Sequence, residues 1–357
     1  YRCLDDVEAA PFVRALVRLS TIMDDYLEEH EESPVRKEVL EFYFEVSHFL
    51  LISDKLDSNY VIYTQMESDG GFSIKLFCVN PSKNLRECMM KGRSSILFSA
   101  TLLPIQYYKQ LLGAEEGDYE VYAHSVFDPR KKGLFIASDV TSKYTRRSDM
   151  EYYNIAAYIY KIANQREGNY MLFFPSHVFL QNVYQAFYQH FLDTSRMDCI
   201  LQEEYMDEES REAFLTRFEK KTEAGNEKAG TLLGFCVLGG IFSEGIDLKN
   251  DSLIGAVIVG TGLPQVCNER EILKSFFESQ GDNGFDYAYK YPGMNKVLQA
   301  AGRVIRTVDD IGIVALLDER FLTAPYIRMF PREWETYERV SLEQIEKRVE
   351  RFWDEWL

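Results

Sequence analysis

The chain has 357 residues and carries 57 acidic against 40 basic side chains, a net charge of −17, with 46% hydrophobic residues. That hydrophobic share can bury a core, which excludes a wholly disordered chain. No apolar run reaches the ~18–20 residues that span a bilayer, which excludes a helical membrane protein.

Residues 1–55 are expected to be helical. Phe12, Val13, Leu16, Val17, Leu19, Ile22 and Met23 recur at helical spacing, and the acidic run Glu28–Ser33 before Pro34 breaks the pattern. A second amphipathic run carries Val39, Leu40, Phe42, Phe44, Val46, Phe49 and Leu50. Tyr60–Met66 and Phe72–Val79 read as strands joined by a hairpin turn over Glu67–Gly71. Ser95–Phe98 is a short apolar run, expected to be a strand, that leads into Ser99, Ala100 and Thr101.

After about residue 130 strands and helices alternate. Strands are expected at Gly133–Ala137, Tyr170–Phe174, Asp198–Gln202, Thr231–Leu238, Leu253–Val259 and Gly312–Leu317. Helices are expected at Met150–Gln165, His177–Phe191, Glu208–Lys221, Asn268–Ser279 and Met294–Arg306, with one more surface helix in the acidic tail past Arg332. This alternation predicts an α/β fold with a mainly parallel sheet flanked by helices, plus a smaller N-terminal helical and strand segment. Ligands in such folds sit beyond the carboxyl ends of the strands.

Six cysteines form no CxxC pair and no zinc-type spacing, so no metal site is expected, and their use fits a reducing cytoplasm. Cys236 lies in an apolar run and reads as a buried, inert thiol. The acidic balance argues against casual nucleic-acid binding and leaves room for a narrow basic track. Tyr144, Tyr152, Tyr153, Tyr158 and Tyr160 cluster; rings at this spacing read mainly as core, with base stacking the lesser alternative.

Four segments carry chemistry. In Gln299–Arg306, placed on a helix, Gln299, Arg303 and Arg306 fall at i, i+4 and i+7 and share one face. Two guanidiniums beside a carboxamide, with no acid among them, suit an anion, since arginine stays charged and forks onto phosphate oxygens. Gly302, after the small Ala300 and Ala301, suggests that something packs close. Gly239–Leu248 is a glycine-punctuated loop at a strand end, with Glu244 and Asp247 as acceptors for ribose or arginine. Phe173-Phe174-Pro175-Ser176 ends a strand, and Ser176 is an N-cap for the next helix. Ser95–Pro104 ends a strand in small hydroxyl residues.

In this order the four segments resemble the second half of a superfamily-two helicase of the XPD/DinG type. Ser99-Ala100-Thr101 is similar to the motif that closes the first motor lobe, Phe173–Ser176 to the fourth motif, Ser243-Glu244-Gly245-Ile246-Asp247 to the fifth and Gln299–Arg306 to the sixth. Gly262-Leu263-Pro264 with Asn268–Glu271 also resembles bacterial members. The resemblance covers about residues 56–330. It implies a RecA-like second lobe over 104–357, the end of the first lobe over 56–103, and the tail of an arch insertion over 1–55.

The resemblance further implies an ATP-dependent DNA helicase that uses ATP and Mg²⁺ and moves on single-stranded DNA. Arg303 and Arg306 would be arginine fingers, either one being the finger with Arg306 favoured, and Gln299 would orient the γ-phosphate or the attacking water. Glu244, Gly245, Asp247 and Gly302 would face nucleotide; Ser176, Ser243 and Thr101 would face the strand.

The sequence contains no GxxxxGK[ST] loop, no DEAH-like segment and no four-cysteine iron–sulfur pattern. In the family these lie upstream, so the chain, which lacks an initiator Met, is expected to be a piece that does not hydrolyse ATP without its missing N-terminal lobe. Leu317-Asp318-Glu319-Arg320 ends a strand after the arginine segment, the wrong place for a metal-holding acid. A non-catalytic nucleic-acid-binding or regulatory module that retains the lobe, and a sugar-nucleotide transferase, are the rival readings.

Overall fold

The computed structural model describes residues 1–219, 230–242 and 253–356. A short strand β1 (Arg2–Leu4) precedes two long helices, α1 (Asp6–Glu29) and α2 (Arg36–Ser53), and the hairpin β2 (Tyr60–Met66) and β3 (Phe72–Cys78). Helices α3 (Ser82–Met89) and α4 (Ile105–Leu111) lead to β4 (Lys132–Ala137). Then follow α5 (Asp149–Ala163), β5 (Asn169–Phe174), α6 (His177–His190), β6 (Met197–Leu201), α7 (Glu208–Glu219) and β7 (Thr231–Val237). After these come β8 (Gly255–Val259), α8 (Asn268–Ser279), α9 (Tyr291–Ala301), β9 (Gly312–Leu317), α10 (Ala324–Ile327), β10 (Glu338–Val340) and α11 (Ile345–Asp354). No helix among the described residues is long and apolar enough to cross a membrane.

The chain forms two compact units. The first comprises residues 1–97, 108–118 and 266–288, the second 98–107, 119–265 and 289–357. In the first unit, α1 starts at a reciprocal cap. The Asp5 carboxylate accepts the Glu8 N–H at 2.7 Å, and the Glu8 carboxylate accepts the Asp5 N–H at 3.2 Å. The predicted hairpin is present, with Tyr60 opposite Cys78 and Met66 opposite Phe72, and β1 adds a third antiparallel strand beside β2. Tyr63, Val79 and Ile272 form this unit's core with Phe77, Leu273 and Phe276. The Tyr63 hydroxyl donates to Glu269, whose carboxylate also takes Lys75 Nζ at 3.1 Å. Burial first, then Glu269, pushes the Tyr63 hydroxyl up to about 12, while that hydrogen bond leads in holding Glu269 down to about 2.

The second unit is a seven-stranded sheet in the order β10-β4-β9-β8-β5-β7-β6, parallel throughout. Its strands are apolar on both faces because helices cover both. Tyr170, Leu172 and Phe174 of β5 join the core with Ile155, Ile159, Leu180, Phe187 and Trp353, under α5, α6 and α11. Met171 and Phe173 point the other way, to Phe214, Phe218, Met294, Val297 and Trp334. That two-residue alternation is the strand period read directly from side-chain burial. Cys236 is fully buried, and burial pushes its thiol up.

Three expectations are corrected. Ser95–Phe98 is not a strand: it runs unpaired, with Ile96 85% and Phe98 89% exposed, because a strand needs a ladder partner and no described strand pairs with it. The predicted helix Met294–Arg306 begins earlier and stops at Ala301. The tail past Arg332 is more than a surface helix: β10 pairs in parallel with β4, and Ile345, Val349 and Trp353 of α11 are buried in the main core.

Candidate functional site

Of the sequence-predicted residues, Ser176 falls at one edge of the second unit's sheet and Gln299, Gly302, Arg303 and Arg306 at the other. At the carboxyl edge, Asp318 follows β9 directly and is fully buried. Its carboxylate accepts the Thr141 hydroxyl at 3.2 Å, the Ser142 N–H at 2.8 Å and the Ser142 hydroxyl at 3.1 Å. It also takes the Arg320 N–H at 3.1 Å and a guanidinium fork at 2.8 and 2.7 Å. Burial works against a charge here; the Arg320 pair and the backbone donors outweigh it and hold Asp318 below the usual carboxylate range. Glu151, on the first turn of α5, accepts the Thr141 N–H, and burial lifts its carboxyl above the usual range. Across the edge, Gly260 has φ +82°, and a Cβ there would stand 2.4 Å from the Ser142 hydroxyl, so only glycine fits.

Ser176 lies on this same edge, half-buried, at the end of β5. Its hydroxyl accepts the Phe179 N–H at 3.2 Å and so caps α6, as its position in the sequence implies. Thr101 is half-buried on a turn, its N–H donating to the Ser99 hydroxyl at 3.2 Å. Ser243, Glu244, Gly245 and Asp247 lie outside the described residues.

Gln299, Gly302, Arg303 and Arg306 come together at the amino edge, opposite to where a ligand is expected from the fold class. Helix α9 runs back along the sheet and ends there. The turn beyond it is tied to the start of β4 by Lys131, whose ammonium donates to the Val308 carbonyl at 2.7 Å. The three polar side chains do not share one helical stripe: Gln299 is on the last turn of α9, while Arg303 and Arg306 stand on the turn that follows. Asp310 draws the chain out of the helix, accepting the Arg306 and Thr307 N–H groups at 2.7 Å each and the Thr307 hydroxyl at 2.8 Å. Burial raises the cost of its charge, yet those donors and the nearby Arg306 keep its carboxyl below the usual value. The β-branched Val304 and Ile305 add little helix propensity to resist this.

Gln299, Arg303 and Arg306 are all half-buried, so none of them projects into bulk water. Ala300 and Ala301 are buried against the sheet, where their small size lets α9 lie close. Gly302 is different: it is exposed, and the nearest atoms to a Cβ there are its own helix carbonyls, at 3.3 and 3.6 Å. The close packing expected there is thus accounted for by the alanines. Sequence reading missed the Asp318 cluster; its signal is an Asp-x-Arg directly after one apolar strand and a Thr-Ser pair shortly after another.

Residues 159–337, half of the chain, match the family described as helicase C-terminal domain. The chain is 31% identical over 240 residues to ATP-dependent DNA helicase XPD of Sulfolobus acidocaldarius, covering 64% of this chain and 39% of that protein. It is 25% identical over 333 residues to a regulator of telomere elongation helicase 1 homolog of Caenorhabditis elegans, covering 83% and 32%. A solved structure of apo XPD superposes with a TM-score of 0.57 at 22% identity, covering 95% of this chain and 63% of that one. Another, Xpd4 of S. tokodaii, gives 0.51 at 14% identity over 85% and 57%. The chain therefore spans less than half the length of these curated relatives, and at these identities the structural likeness speaks for the fold.

Proposed function

The chain belongs to the helicase C-terminal domain family, in its XPD/DinG-type branch, and from that premise we propose that it is the second motor lobe of an ATP-dependent DNA helicase. On this reading 1–55 ends an arch insertion, 56–103 completes the first lobe, and 104–357 is the second RecA-like lobe. The observation that carries the proposal is the half-buried Arg303 and Arg306 beside Gln299, on a turn shaped by Asp310 and inside the family-matched span.

ATP would supply the phosphoryl group whose transfer to water drives movement, held mainly by a phosphate loop and Mg²⁺ on the missing lobe. Arg303 and Arg306 donate forked N–H groups to the phosphoryl oxygens, over which charge spreads as the bond to the leaving group breaks. Gln299 orients the attacking water. Glu244, Gly245 and Asp247 bind ribose or brace the arginine turn, and Gly302 lets the nucleotide approach the backbone. Among the described residues no group of His, Cys, Asp or Glu side chains is placed to hold a metal ion. Ser176, Ser243 and Thr101 face the phosphates of a single DNA strand.

The test uses the full-length protein. Arg303→Ala and Arg306→Ala are each expected to lower ATP turnover, the finger by roughly 10³-fold or more, while single-strand binding is retained. Equal loss of turnover and binding would make the arginines structural. Undiminished turnover would take both arginines out of catalysis, and a wild type that binds strand without any turnover would leave the non-catalytic strand-binding module as the better reading.

A further inference from the structure

Four of the five clustered tyrosines turn inward or rest on the core. Tyr158 is fully buried, Tyr152 meets Phe179 edge-on at 5.1 Å, and Tyr160 and Tyr153 lie 5.5 and 5.1 Å from Phe191. Tyr144 does the reverse: it is 83% exposed. It stands outside the family-matched span, and neither the motif reading nor the arginine turn accounts for it.

Exposure alone would be ordinary for a surface tyrosine; what lies beneath this one is not. The Arg147 guanidinium sits 5.4 Å from the Tyr144 ring centre and 5.3 Å from that of Phe179, which is anchored in the core. Tyr144 is thus the outer member of a stack of ring, cation and ring. The loop beneath is pinned at every step. Asp318 and Glu151 hold Thr141 and Ser142, Glu319 holds Lys143 at 3.1 Å and Arg146 at 3.4 Å, and Arg147 Nε donates to the Ser142 carbonyl at 3.3 Å. Its only secondary structure is one tight turn over Tyr144–Arg146, and it contains no glycine. An apolar ring is therefore held out in water by a frame ordered before any ligand arrives, which removes the entropy cost that weakens most surface contacts.

The surroundings suit a flat apolar ligand. Met150 on the first turn of α5 is 66% exposed and Val178 on the first turn of α6 is 71% exposed; both helices start at the carboxyl edge of the sheet. Lys143 and Arg146 are engaged by Glu319 and Glu151, and Arg147 lies against the two rings and the Ser142 carbonyl, so the ring's outer face is the apolar surface the loop offers.

We infer that Tyr144 stacks on an unpaired base of a nucleic-acid strand lying along the carboxyl edge of this sheet. The inference rests on the single-strand motor reading given above. It adds a base contact to a strand path otherwise assigned only phosphate contacts. A ring takes any base on its face, so the contact grips without reading sequence.

The test measures anisotropy of labelled strands with the full-length protein, using oligo-dT, oligo-rU and an abasic deoxyribose-phosphate strand of equal length. Tyr144→Ala and Tyr144→Leu are expected to weaken binding of the base-bearing strand roughly 5- to 100-fold, while Tyr144→Phe and Tyr144→Trp hold it as wild type does. The loss should be the same at low and high salt, because no phosphate contact is removed. On the abasic strand, wild type and Tyr144→Ala should bind alike. Equal binding of oligo-dT by wild type and Tyr144→Ala, or the same loss on the abasic strand, overturns the stacking contact and leaves the motor reading standing. Failure of the wild type to hold either base-bearing strand overturns the motor reading, and this contact with it.

Discussion

At the carboxyl edge of the seven-stranded sheet a carboxylate is sealed in; at the amino edge the carboxylate that shapes the chain stands partly in water. Asp318 has no exposed surface and is wrapped by two hydroxyls, two backbone N–H groups and a guanidinium fork. Asp310 is half-exposed and holds two backbone N–H groups and one hydroxyl. Removing a sealed charge strands its partners without water, whereas removing a half-exposed one lets water replace it. One edge is a fixed frame, and the other is a turn that a ligand can adjust at small cost.

The largest effect is expected at Asp318. Asp318→Asn should cost about 3–5 kcal/mol in urea unfolding, since the half-buried Arg320 loses the carboxylate it forks onto and a fully buried site loses its charge; a cost near that of a surface substitution would mean water reaches the cluster. Because the folded carboxyl lies below 3.8, its stabilisation is complete above that value and is lost as pH falls through and beneath it. Glu151 has the opposite sign: its carboxyl is raised above 4.5, so ionising it as pH climbs past that value costs stability. The stability gap between wild type and Asp318→Asn should therefore close on acidification, measured as urea midpoints along a pH series. At the other edge Asp310→Ala should cost only about 1–2 kcal/mol, while ATP turnover of the full-length protein falls by more than that change explains, because the Arg306 backbone loses its anchor. The smallest effect is expected at Gly302. Its φ of −67° suits any residue, so Gly302→Ala should shift stability by less than about 1 kcal/mol. Loss of turnover without loss of stability would mark it as a point of close nucleotide approach.

Much of the second unit was legible in the sequence. Strands such as Tyr170–Phe174 and Gly312–Leu317 are buried on both faces and read as unbroken apolar runs. The end of α9 was not legible, because Gln299, Arg303 and Arg306 continue the helical period while the residue that ends it, Asp310, acts from further along the chain. Strand β10 was hidden for a related reason. Glu338-Arg339-Val340 has no strand character of its own and is a strand only because β4 offers its edge. The burial of α11 was masked by acids on its outer face, although Ile345, Val349 and Phe352 repeat at i, i+4 and i+7. Asp318 reads from sequence only as a polar residue at a strand end; its enclosure depends on Thr141 and Ser142, some 176 positions away. Of the tyrosine cluster, composition could show the set but not which ring would be left outside.

The membership of α8 in the first unit has a practical consequence for anyone who wishes to take the protein apart. The polypeptide leaves the parallel sheet after Gln265, contributes Ile272 and Phe276 to the other core, and comes back at Tyr289. No single scission can then yield two halves with intact interiors. A protease nick near residue 118 would leave the pieces interlocked, and a truncation there would bare the α8 side chains that Tyr63 and Val79 now cover.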